Sequence, residues 1–600
     1  MRSPVRIETV WVKYLSEITV IHFALTHNGA FILNLRRAGM SRAGAPLGNR
    51  SAKGDSDQVL RPIISFLLFL GALLGVTHLA AQEIPRVDRS QGSAQLIVGS
   101  RPFIIFGGEL GNSATGTAAQ ADEILPRVAH FHINTVLMPV AWEQIEPLEG
   151  KFDFAILDHW IEQARVQHLR LVLLWFGSWK NAFSSYAPNW VKKEPKRFGR
   201  AIAPDGSPLE ILSTLSKENL DADARAFQAL MRHIREFDMR QQTVLMVQVE
   251  NEVGILGSGR DHSAEADRLF NGPVPEDLMR YLHAHRDWLP PELSRVWNGN
   301  GRTWRDVFNE QAPEVFMALN YGRYIGQVAA AGKSEYPLPM YVNAQLPAPF
   351  ERAGEYPSGG PHPYCLEVYR AVAPALDFFT PDIYWPNFEY WVQRYNEHGN
   401  PVFVPEARLE AGPFNAFYAY GEARAFGFSA FAVDSISDVE TGPDQGKNSL
   451  AQSYSVLQQL EDILPRAQRE GKTRGLVLHA SSPRPTQTVS LGGYLFTATL
   501  ARSWPGRNLL QDDGAMIAVQ TGSDEFLIGG AALSITVSKD VDRGDGIAGI
   551  ASVEEGSRVR EEWVTELRLN GDQSNQGRSV SLPAHGFKLL RVKLYTIPRP

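Results

Sequence analysis

The sequence predicts an α/β fold class: a (β/α)8 TIM barrel followed by a smaller antiparallel β-sandwich domain. Between residues 102 and 435, eight apolar runs of strand length recur, most of them separated by segments with helical periodicity. After about residue 470 the pattern changes to short strand-like runs separated by turns rich in Gly, Asp and Ser. Near-continuously apolar strands that alternate with helices are typical of a parallel sheet covered by helices.

The predicted strands lie in chain order at 102–110, 133–142, 169–179, 244–252, 338–345, 378–385, 401–407 and 427–435. Two of the helices between them, over 155–168 and 221–237, have clear apolar faces. The aligned side chains are Ile156, Trp160, Ile161 and Ala164 in the first, and Phe227, Leu230, Met231 and Ile234 in the second. We expect the barrel over residues 82–465 and the β-sandwich over 466–600.

The N-terminal region has the pattern of an exported protein. Residues 63–76 are uninterruptedly apolar, follow Arg61 and precede T-H-L-A-A-Q. This run is shorter than the roughly 20 residues of a membrane span and is organised like a secretory signal. The sequence therefore predicts a signal peptide over 59–81, cleavage near Ala81, a periplasmic or secreted product, and no stable membrane insertion after cleavage.

Residues 1–58 show no clear periodicity, and a signal peptide that begins near residue 59 leaves them without a purpose. We expect them to be a non-native or disordered N-terminal extension. N-terminal sequencing of the native protein tests this expectation, and finding residues 1–58 attached would contradict it.

Bulk composition is that of a soluble globular protein, with 44% hydrophobic and 21% charged residues among 600. The net charge of −7 is mild and forms no long run, which argues against a nucleic-acid partner. The single cysteine, Cys365, excludes an intrachain disulfide, so the fold depends on its core.

Polar or aromatic residues stand at the C-terminal end of every predicted strand. In chain order they are Glu109; Trp142 and Glu143; Trp175 and Trp179; Asn251 and Glu252; Asn343 and Gln345; Asp382, Tyr384 and Trp385; Glu406; and Asp434. In a barrel of this class the C-terminal strand ends converge on one rim, where active sites lie. The sequence thus predicts a pocket rich in carboxylates, amides and aromatic rings.

Several other chemistries lack their motifs. No histidine pair has metal-site spacing on a plausible strand end or helix face, and His362 lies in a Pro/Gly loop. Neither G-x-S-x-G at a strand-to-helix turn nor G-x-G-x-x-G after a strand occurs. We expect no metal and no cofactor.

Two carboxylates on the fourth and seventh strands suit glycoside hydrolysis with retention, which needs one protonated acid and one nucleophile. We expect Glu252 to be the acid, kept protonated by the negative charge of Glu250 or of the nucleophile, and Glu406 to be the nucleophile. Asn251 is expected to bind the sugar 2-hydroxyl, and Tyr384 to orient Glu406. Strand alternation predicts Glu250 and Glu252 on the same side, with Glu250 in a supporting position.

Three segments carry a resemblance to a known family. Q-V-E-N-E-V-G (248–254) is similar to the acid/base motif of glycoside hydrolase family 35, the β-galactosidases of clan A, in which the second glutamate is the acid/base. G-G-E-L-G-N-S (107–113) and W-E-Q-I-E-P-L-E-G-K-F-D-F (142–154) look like its first- and second-strand segments and are shared with family 42.

The resemblance covers roughly residues 100 to 440 and implies a retaining exo-β-galactosidase with a carbohydrate substrate. Together with the strand ends, it gives an expected catalytic pair, Glu252 and Glu406. The expected substrate-binding residues are Glu109, Asn112, Glu143, Trp175, Trp179, Asn251, Asn343, Tyr384 and Trp385.

Two segments depart from the family pattern. L-L-W-F-G-S-W-K-N (173–181) replaces the common C-A-E-W type at strand three, and V-P-E-A-R-L-E-A-G (404–412) surrounds the nucleophile, which makes Glu410 a rival to Glu406. The strand-three segment resembles a bacterial branch with an extra C-terminal β domain, whose exported members include enzymes that trim galactose from xyloglucan side chains. The alternatives are another clan A exo-glycosidase, such as a β-glucosidase or an α-L-arabinopyranosidase, and a catalytically inactive glycan-binding barrel.

Overall fold

A computed structural model describes residues 83–90, 92–436, 449–481, 486–501, 513–540 and 546–598, together with three N-terminal strands. The chain divides into two compact units, Met1–Ala81 and Gln82–Pro600. In the first unit the strands Ile7–Tyr14, Glu17–Leu25 and Phe31–Arg37 pair antiparallel in chain order. The rest of 1–58 and the predicted signal peptide over 59–81 lie outside the described residues.

The second unit contains the predicted barrel. Its strands are β1 Ile105–Glu109, β2 Thr135–Ala141, β3 Arg170–Lys180, β4 Val244–Asn251, β5 Met340–Gln345, β6 Phe378–Ile383, β7 in two parts, Phe403–Val404 and Glu406–Ala407, and β8 Gly427–Ala430. All neighbouring strands pair in parallel, in chain order from β1 to β6, and β8 pairs with β1. The first part of β7 pairs with β8 and the second with β6, so the ring closes. The predicted barrel and all eight of its strands are confirmed.

Helices connect and cover these strands. They are Ala118–Ala129, Trp142–Ile145, Ala155–Val166, Asn189–Lys192, Lys217–Asp238, Ala264–Phe270, Glu276–Ala284, Pro291–Ser294, Trp304–Phe308, Ala312–Glu335, Leu366–Val372, Phe388–Tyr395, Gly412–Gly421, Ser449–Gln458 and Leu464–Arg469. Short 3-10 turns lie at Arg286–Trp288, Asn309–Gln311, Pro363–Cys365, Val433–Ser435 and Gly571–Ser574. In the part of the chain that the structure describes, none of the helices combines the length and the apolar character that a membrane span requires.

The two helices predicted from periodicity bury the expected faces. Trp160, Ile161 and Ala164 are buried in the helix Ala155–Val166. In the helix Lys217–Asp238 the buried residues include Phe227, Leu230, Met231 and Ile234. That helix packs on β3 and on the long helix Ala312–Glu335, and it is therefore part of the wall behind the strand ends.

The inside of the barrel is apolar at the N-terminal ends of the strands. A three-stranded antiparallel sheet, Arg86–Asp88, Gln95–Val98 and Arg101–Phe103, precedes β1. Its Leu96 joins a buried cluster with residues that start their strands, among them Ile105, Phe378 and Phe403. Apolar side chains thus fill this end of the barrel, and the polar strand ends gather at the other.

The C-terminal part is an antiparallel β-sandwich, as predicted. One sheet contains, in spatial order, Thr473–Leu478, Gly514–Gln520, Glu525–Ala531, Lys588–Ile597, Ile547–Val559 and Glu562–Leu569. The other contains Thr486–Leu491, Tyr494–Leu500, Leu533–Lys539 and Ser579–Ser581. A separate apolar core lies between them, and the ring of Phe587 stacks on Phe417 of the barrel helix Gly412–Gly421 at 5.4 Å. The two-stranded ribbon Arg200–Ile202 with Pro208–Leu212 belongs to the segment after β3.

Candidate active site

A pocket of about 330 Å³ opens at the C-terminal ends of the barrel strands. Its lining residues are Asn112, Lys180, Asn181, Glu252, Gln345, Leu346, Asp382, Tyr384, Trp385, Glu406 and Phe431. This volume is at the lower end of the range for small-molecule sites, about 300–1,000 Å³. A second cavity, about 490 Å³, shares Tyr384 and Phe431 with it and is otherwise lined by the segments at 408–410 and 432–435. The pocket lies where the strand pattern predicts it.

Three buried carboxyl groups meet in this pocket. Glu252 follows β4, Asp382 lies on β6 and Glu406 on β7, where it is the register partner of Asp382. One carboxylate oxygen from each lies within 4.8 Å of the other two. The two residues predicted to be the catalytic pair are therefore brought together across the pocket.

The backbone at the end of β4 departs from a regular strand. Glu250 and Glu252 both have left-handed φ angles, 63° and 44°. The pairing of β4 with β3 also shifts register between Val249 and Asn251. As a result the carboxylate of Glu250 accepts hydrogen bonds from the backbone of β3, whereas that of Glu252 lines the pocket. The expectation that strand alternation puts both on the same side does not hold, because alternation needs a regular extended backbone.

Glu252 is buried beside a lysine and an asparagine. Asn181 donates a hydrogen bond to its Oε2, and the ammonium of Lys180 lies 3.8 Å from the same oxygen. Its backbone N–H donates to Oδ1 of Asn343 at 2.9 Å. Burial, followed by the negative charge of Glu406, raises the pKa of Glu252 to about 7, while Lys180 acts in the opposite direction. A carboxyl group with such a pKa can donate and accept a proton near neutral pH.

Glu406 is held by Tyr384, whose hydroxyl donates to its Oε1, as the sequence predicted. Burial raises the pKa of Glu406, and Lys180 and the Tyr384 hydrogen bond lower it. Burial and the charge of Glu406 raise the pKa of Glu109 well above its usual range. The pKa of Asp382 is also raised, by burial and then by the charges of Glu406 and Glu252. The pocket thus combines several acids whose protonation depends on one another.

The three close carboxylate oxygens have the spacing of a cation site, and no other set of this kind occurs in the described residues. Lys180 already brings a positive charge to them, and its pairing distance to Glu252 is 3.8 Å. Asn343 donates to Oδ2 of Asp382 at 2.6 Å, and Tyr384 binds Glu406. These groups supply a positive charge and hydrogen bonds to the three carboxyl groups.

Several buried polar atoms of the strand ends have no hydrogen-bond partner within the protein. They are both amide atoms of Asn251 and Oδ1 of Asn112. A buried polar group without a partner costs about 1–3 kcal/mol, and such groups concentrate at functional sites. A ligand with many hydroxyl groups matches them, because each hydroxyl both donates and accepts.

Most of the predicted substrate-binding set lies at this pocket. Asn112, Tyr384 and Trp385 line it, and Nε1 of Trp385 donates to the carbonyl of Leu346. Asn343 accepts a hydrogen bond from the backbone N–H of Glu252 and donates one to the carboxylate of Asp382. Two more of the nine, Glu109 and Asn251, lie at the adjoining ends of β1 and β4.

Two predicted tryptophans lie elsewhere. The indole of Trp175 donates to Oδ1 of Asp223 at 2.9 Å, on the outer side of β3. Trp179 is fully buried against Tyr321 and Tyr324 of the helix Ala312–Glu335. Both rings therefore pack between the barrel and its helices, and a sugar-binding role does not fit this placement. Apolar strands are covered on both faces, so the sequence pattern does not reveal which face an aromatic ring occupies.

Glu143 also lies outside the pocket lining. It is partly exposed and forms an ion pair with Lys192 at 3.0 Å. The short helix Trp142–Ile145 begins directly after β2, and Glu143 lies in its first turn. The placement corrects its expected role as a substrate ligand.

Sequence reasoning missed Lys180 and Asn181 as site residues. The predicted third strand stopped at residue 179, whereas β3 continues to Lys180. The available signal was the pair of polar residues in W-F-G-S-W-K-N directly after an apolar run. Phe431 was missed as well, since it follows β8 among other apolar residues and only the fold brings it to the pocket.

Two family models match parts of the chain. Residues 114–316 match the glycoside hydrolase 42 model, described as β-galactosidase, and residues 450–581 match DUF5597, a domain of unknown function. The first match includes β2 to β4 and Glu252 and ends before Asp382 and Glu406. It supports a glycoside hydrolase of clan A, and the model that matches is that of family 42; membership of family 35 in particular is not shown.

Several solved glycosidase structures match the chain at low identity and low TM-score. The β-galactosidase from Marinomonas ef1 matches at 12% identity and a TM-score of 0.40, over 59% of this chain and 60% of that one. The β-galactosidase from Rahnella sp. R3 matches at 14% identity and a TM-score of 0.40, over 61% of this chain and 57% of that one. The β-1,4-D-mannanase from Cryptopygus antarcticus matches at 14% identity and a TM-score of 0.36, over 59% of this chain and 90% of that one. No curated protein sequence matches the chain significantly.

Proposed function

We propose that this protein is a retaining exo-glycosidase that releases terminal β-linked galactose from oligo- or polysaccharides. The observation that carries the proposal is the approach of Glu252 and Glu406, whose nearest carboxylate oxygens lie within 4.8 Å. Retaining glycosidases hold their two carboxyl groups about 5–5.5 Å apart, and inverting ones about 6.5–9.5 Å. An oxygen–oxygen approach of this order is compatible with the retaining separation.

In the first step Glu406 attacks the anomeric carbon. Its Oε1 accepts the hydrogen bond of Tyr384, so we assign the bond to carbon to Oε2. Glu252 donates its proton to the glycosidic oxygen as the bond from carbon to that oxygen breaks. The aglycone leaves as an alcohol, and the galactosyl group remains as an ester on Glu406.

In the second step the roles reverse. Ester formation removes the negative charge of Glu406, which is one cause of the raised pKa of Glu252. The pKa of Glu252 therefore falls in the intermediate, and its carboxylate accepts a proton from water as that water attacks the anomeric carbon. Galactose is released with retained configuration, and Glu406 is again a carboxylate.

The size and chemistry of the pocket support an exo-acting enzyme. A volume of about 330 Å³ suits a terminal sugar better than an internal segment of a polymer. Trp385 and Phe431 offer apolar faces to a sugar ring. The β-galactosidase description of the matching family model supports galactose as that sugar. Xyloglucan side chains are proposed as natural substrates from the resemblance of W-F-G-S-W-K-N to the bacterial branch of family 35.

A panel of aryl glycosides tests this proposal. We expect hydrolysis of 4-nitrophenyl β-galactoside to be faster than that of the β-glucoside and the α-arabinopyranoside, with β-galactose as the first product seen by NMR. An α-anomer as first product would refute retention, and preference for glucoside or arabinoside would refute the assigned sugar. No activity on any of the three, with binding of galactosides retained, would instead indicate a glycan-binding barrel.

Lys180→Met is expected to shift the alkaline limb of the pH profile of kcat/KM to higher pH. Lys180 lowers the pKa of Glu252, so removing its charge raises that pKa from its value of about 7. The acid works only when protonated, and the protonated form then persists to higher pH. The matched control is Lys192→Met, which removes a lysine that pairs with Glu143 outside the pocket. An unchanged or lowered alkaline limb in Lys180→Met would contradict the prediction.

We further propose that the protein acts in the periplasm or outside the cell. The proposal rests on the apolar segment over 63–76 and the small residues up to Ala81. Cell fractionation with N-terminal sequencing tests it: a mature chain that starts near Gln82 is expected, and an intact chain confined to the cytoplasm would refute it.

A further inference from the structure

Glu250 and Asp223 are two fully buried carboxyl groups that the proposed reaction does not use. Glu250 lies on β4, and Asp223 lies on the helix Lys217–Asp238. The backbone N–H of Ser178 is 3.2 Å from Oδ2 of Asp223 and 3.2 Å from Oε1 of Glu250. The two carboxyl groups therefore meet at the same N–H group of β3.

Gly177 shows how close this approach is. A Cβ atom added to this glycine would lie 2.6 Å from Oε1 of Glu250 and 2.9 Å from Oδ1 of Asp223. Both distances are shorter than ordinary carbon–oxygen contacts. Both carboxyl groups therefore pack closely on the same side of the Gly177 backbone. A side chain at this position would drive them apart.

The hydrogen-bond donors around the two carboxyl groups are neutral. The N–H of Trp179 donates to Oε2 of Glu250 at 2.7 Å. Asp223 accepts from the indole of Trp175 at 2.9 Å and from the hydroxyl of Ser178 at 2.6 Å. In the described part of the chain neither carboxyl group forms a salt bridge.

The helix Ala312–Glu335 packs on the same place and adds only tyrosines as titratable groups. The hydroxyl of Tyr324 lies 3.4 Å from Oδ2 of Asp223. Burial and nearby carboxylates raise the pKa of Tyr324 and of Tyr321 well above the usual range, so both remain neutral. Two ionised carboxylates in contact, without a counter-ion and away from water, would be strongly unfavourable.

We propose that Glu250 and Asp223 share one proton as a carboxyl–carboxylate pair, and that this pair is a positioning element for the active site. It holds the end of β3 so that Lys180 and Asn181 contact Glu252. The part of this proposal that concerns activity rests on the proposed function, and the shared proton does not.

The connection to the site is short and covalent. The N–H groups of Ser178 and Trp179 bind the pair, and the next two residues are the ones that contact Glu252. Asn181 has a left-handed φ of 49°, a conformation that its neighbours must hold in place. Burial, and next the charge of Asp223, raise the pKa of Glu250 well above its usual range, which agrees with a retained proton.

The shared proton is tested by thermal unfolding of wild type and Glu250→Gln between pH 5 and 8, without substrate. Glutamine mimics the protonated acid: its amide N–H donates to Asp223 and its oxygen accepts from Trp179. In the unfolded chain Glu250 loses its proton above its ordinary pKa of 4.5, whereas the folded chain keeps it. The stabilisation is therefore complete below pH 4.5 and is lost as the pH rises toward the raised folded pKa.

The variant has no proton to lose at this position, so its stability should improve relative to wild type as the pH rises. One proton corresponds to about a tenfold change in the folding equilibrium constant per pH unit. We expect the Tm of Glu250→Gln to gain steadily on that of wild type above pH 5. A Tm difference between the two proteins that stays constant with pH, or that changes in the opposite direction, would refute the shared proton.

The positioning role is tested by the kinetics of Glu250→Gln and Glu250→Ala on the aryl galactoside. We expect the glutamine variant to keep most of the wild-type kcat and its pH profile. The alanine variant leaves Trp179 without its acceptor and frees the end of β3. Its kcat should fall by about 10–100-fold, with a smaller change in KM, and its alkaline limb should move to higher pH as Lys180 leaves Glu252.

Glu250→Asp, which keeps the acid but shortens its reach, replaces the alanine variant if that variant does not fold. A lowered Tm with wild-type kcat and pH profile in either variant would show a merely structural pair and would overturn the positioning role. If wild type hydrolyses no glycoside, the proposed function fails, but the unfolding comparison still decides whether the proton is shared.

Discussion

Glu406→Ala is expected to lower kcat for terminal β-galactosides by about 10⁴-fold or more, since removal of a catalytic nucleophile has effects of this order. Alanine leaves no oxygen within bonding reach of the anomeric carbon, so the ester cannot form. Azide should partly restore turnover, because the shortened side chain leaves room for a small anion. The product of this rescue should be α-galactosyl azide, formed by one inversion, and NMR identifies its configuration.

Glu410→Ala is the matched control for this prediction. Glu410 is the rival nucleophile of the sequence, four positions beyond Glu406, and it is exposed and lines the neighbouring cavity. We expect kcat within about threefold of wild type, as for surface substitutions without a catalytic contact. Full activity of Glu406→Ala, or a large loss in Glu410→Ala with azide rescue, would overturn the nucleophile assignment.

Glu252→Ala is expected to lower kcat/KM by about 10²–10⁴-fold for substrates with poor leaving groups, the range of general acid catalysis. A 2,4-dinitrophenyl galactoside needs little protonation, so its first step should be much less affected. The alkaline limb that reflects the Glu252 pKa of about 7 should disappear from the kcat/KM profile. Initial rates on a series of aryl galactosides of different leaving-group pKa measure both effects.

The azide product separates the roles of the two glutamates. In Glu252→Ala the ester on Glu406 still forms, and azide then attacks it in place of water, so the product is β-galactosyl azide after two inversions. Glu406→Ala gives the opposite anomer. An equal loss of activity for good and poor leaving groups in Glu252→Ala would contradict its role as acid.

The architecture was predictable because its signals are local. Each barrel strand is an apolar run with a polar end, and the closure of eight such units places those ends on one rim. From this rule alone we predict that Glu252 and Glu406 lie close together. In the structure one carboxylate oxygen of each lies within 4.8 Å of the other. Their catalytic roles remain proposals that the variants above test.

The errors came where a side chain depends on local backbone geometry. The direction of Glu250 depends on its left-handed φ and on the register shift between β4 and β3, neither of which periodicity reveals. Trp175 faces outward with Leu171 and Leu173, and its indole donates to Asp223, 48 positions later in the chain. These contacts are set by tertiary packing, so a strand pattern predicts that a residue is buried without predicting on which face.

The split of β7 has a similar origin. Pro405 has no backbone N–H to donate and separates the two short parts of the strand. The part before it pairs with β8, and the part after it pairs with β6. The run P-V-F-V-P-E-A reads as one strand, and the change of partner within it appears only once the ring has closed.

The apolar cluster around Leu96, at the end of the barrel opposite the pocket, determines how substrate and products enter and leave the proposed active site. Apolar side chains fill the end of the barrel opposite the pocket, so no path leads through its axis. Substrate, water and both products must use the same mouth. The aglycone has to leave before water can reach the ester, and galactose leaves last. A polymer consequently has to dissociate after each cut, which predicts a distributive enzyme that galactose inhibits by competing with substrate.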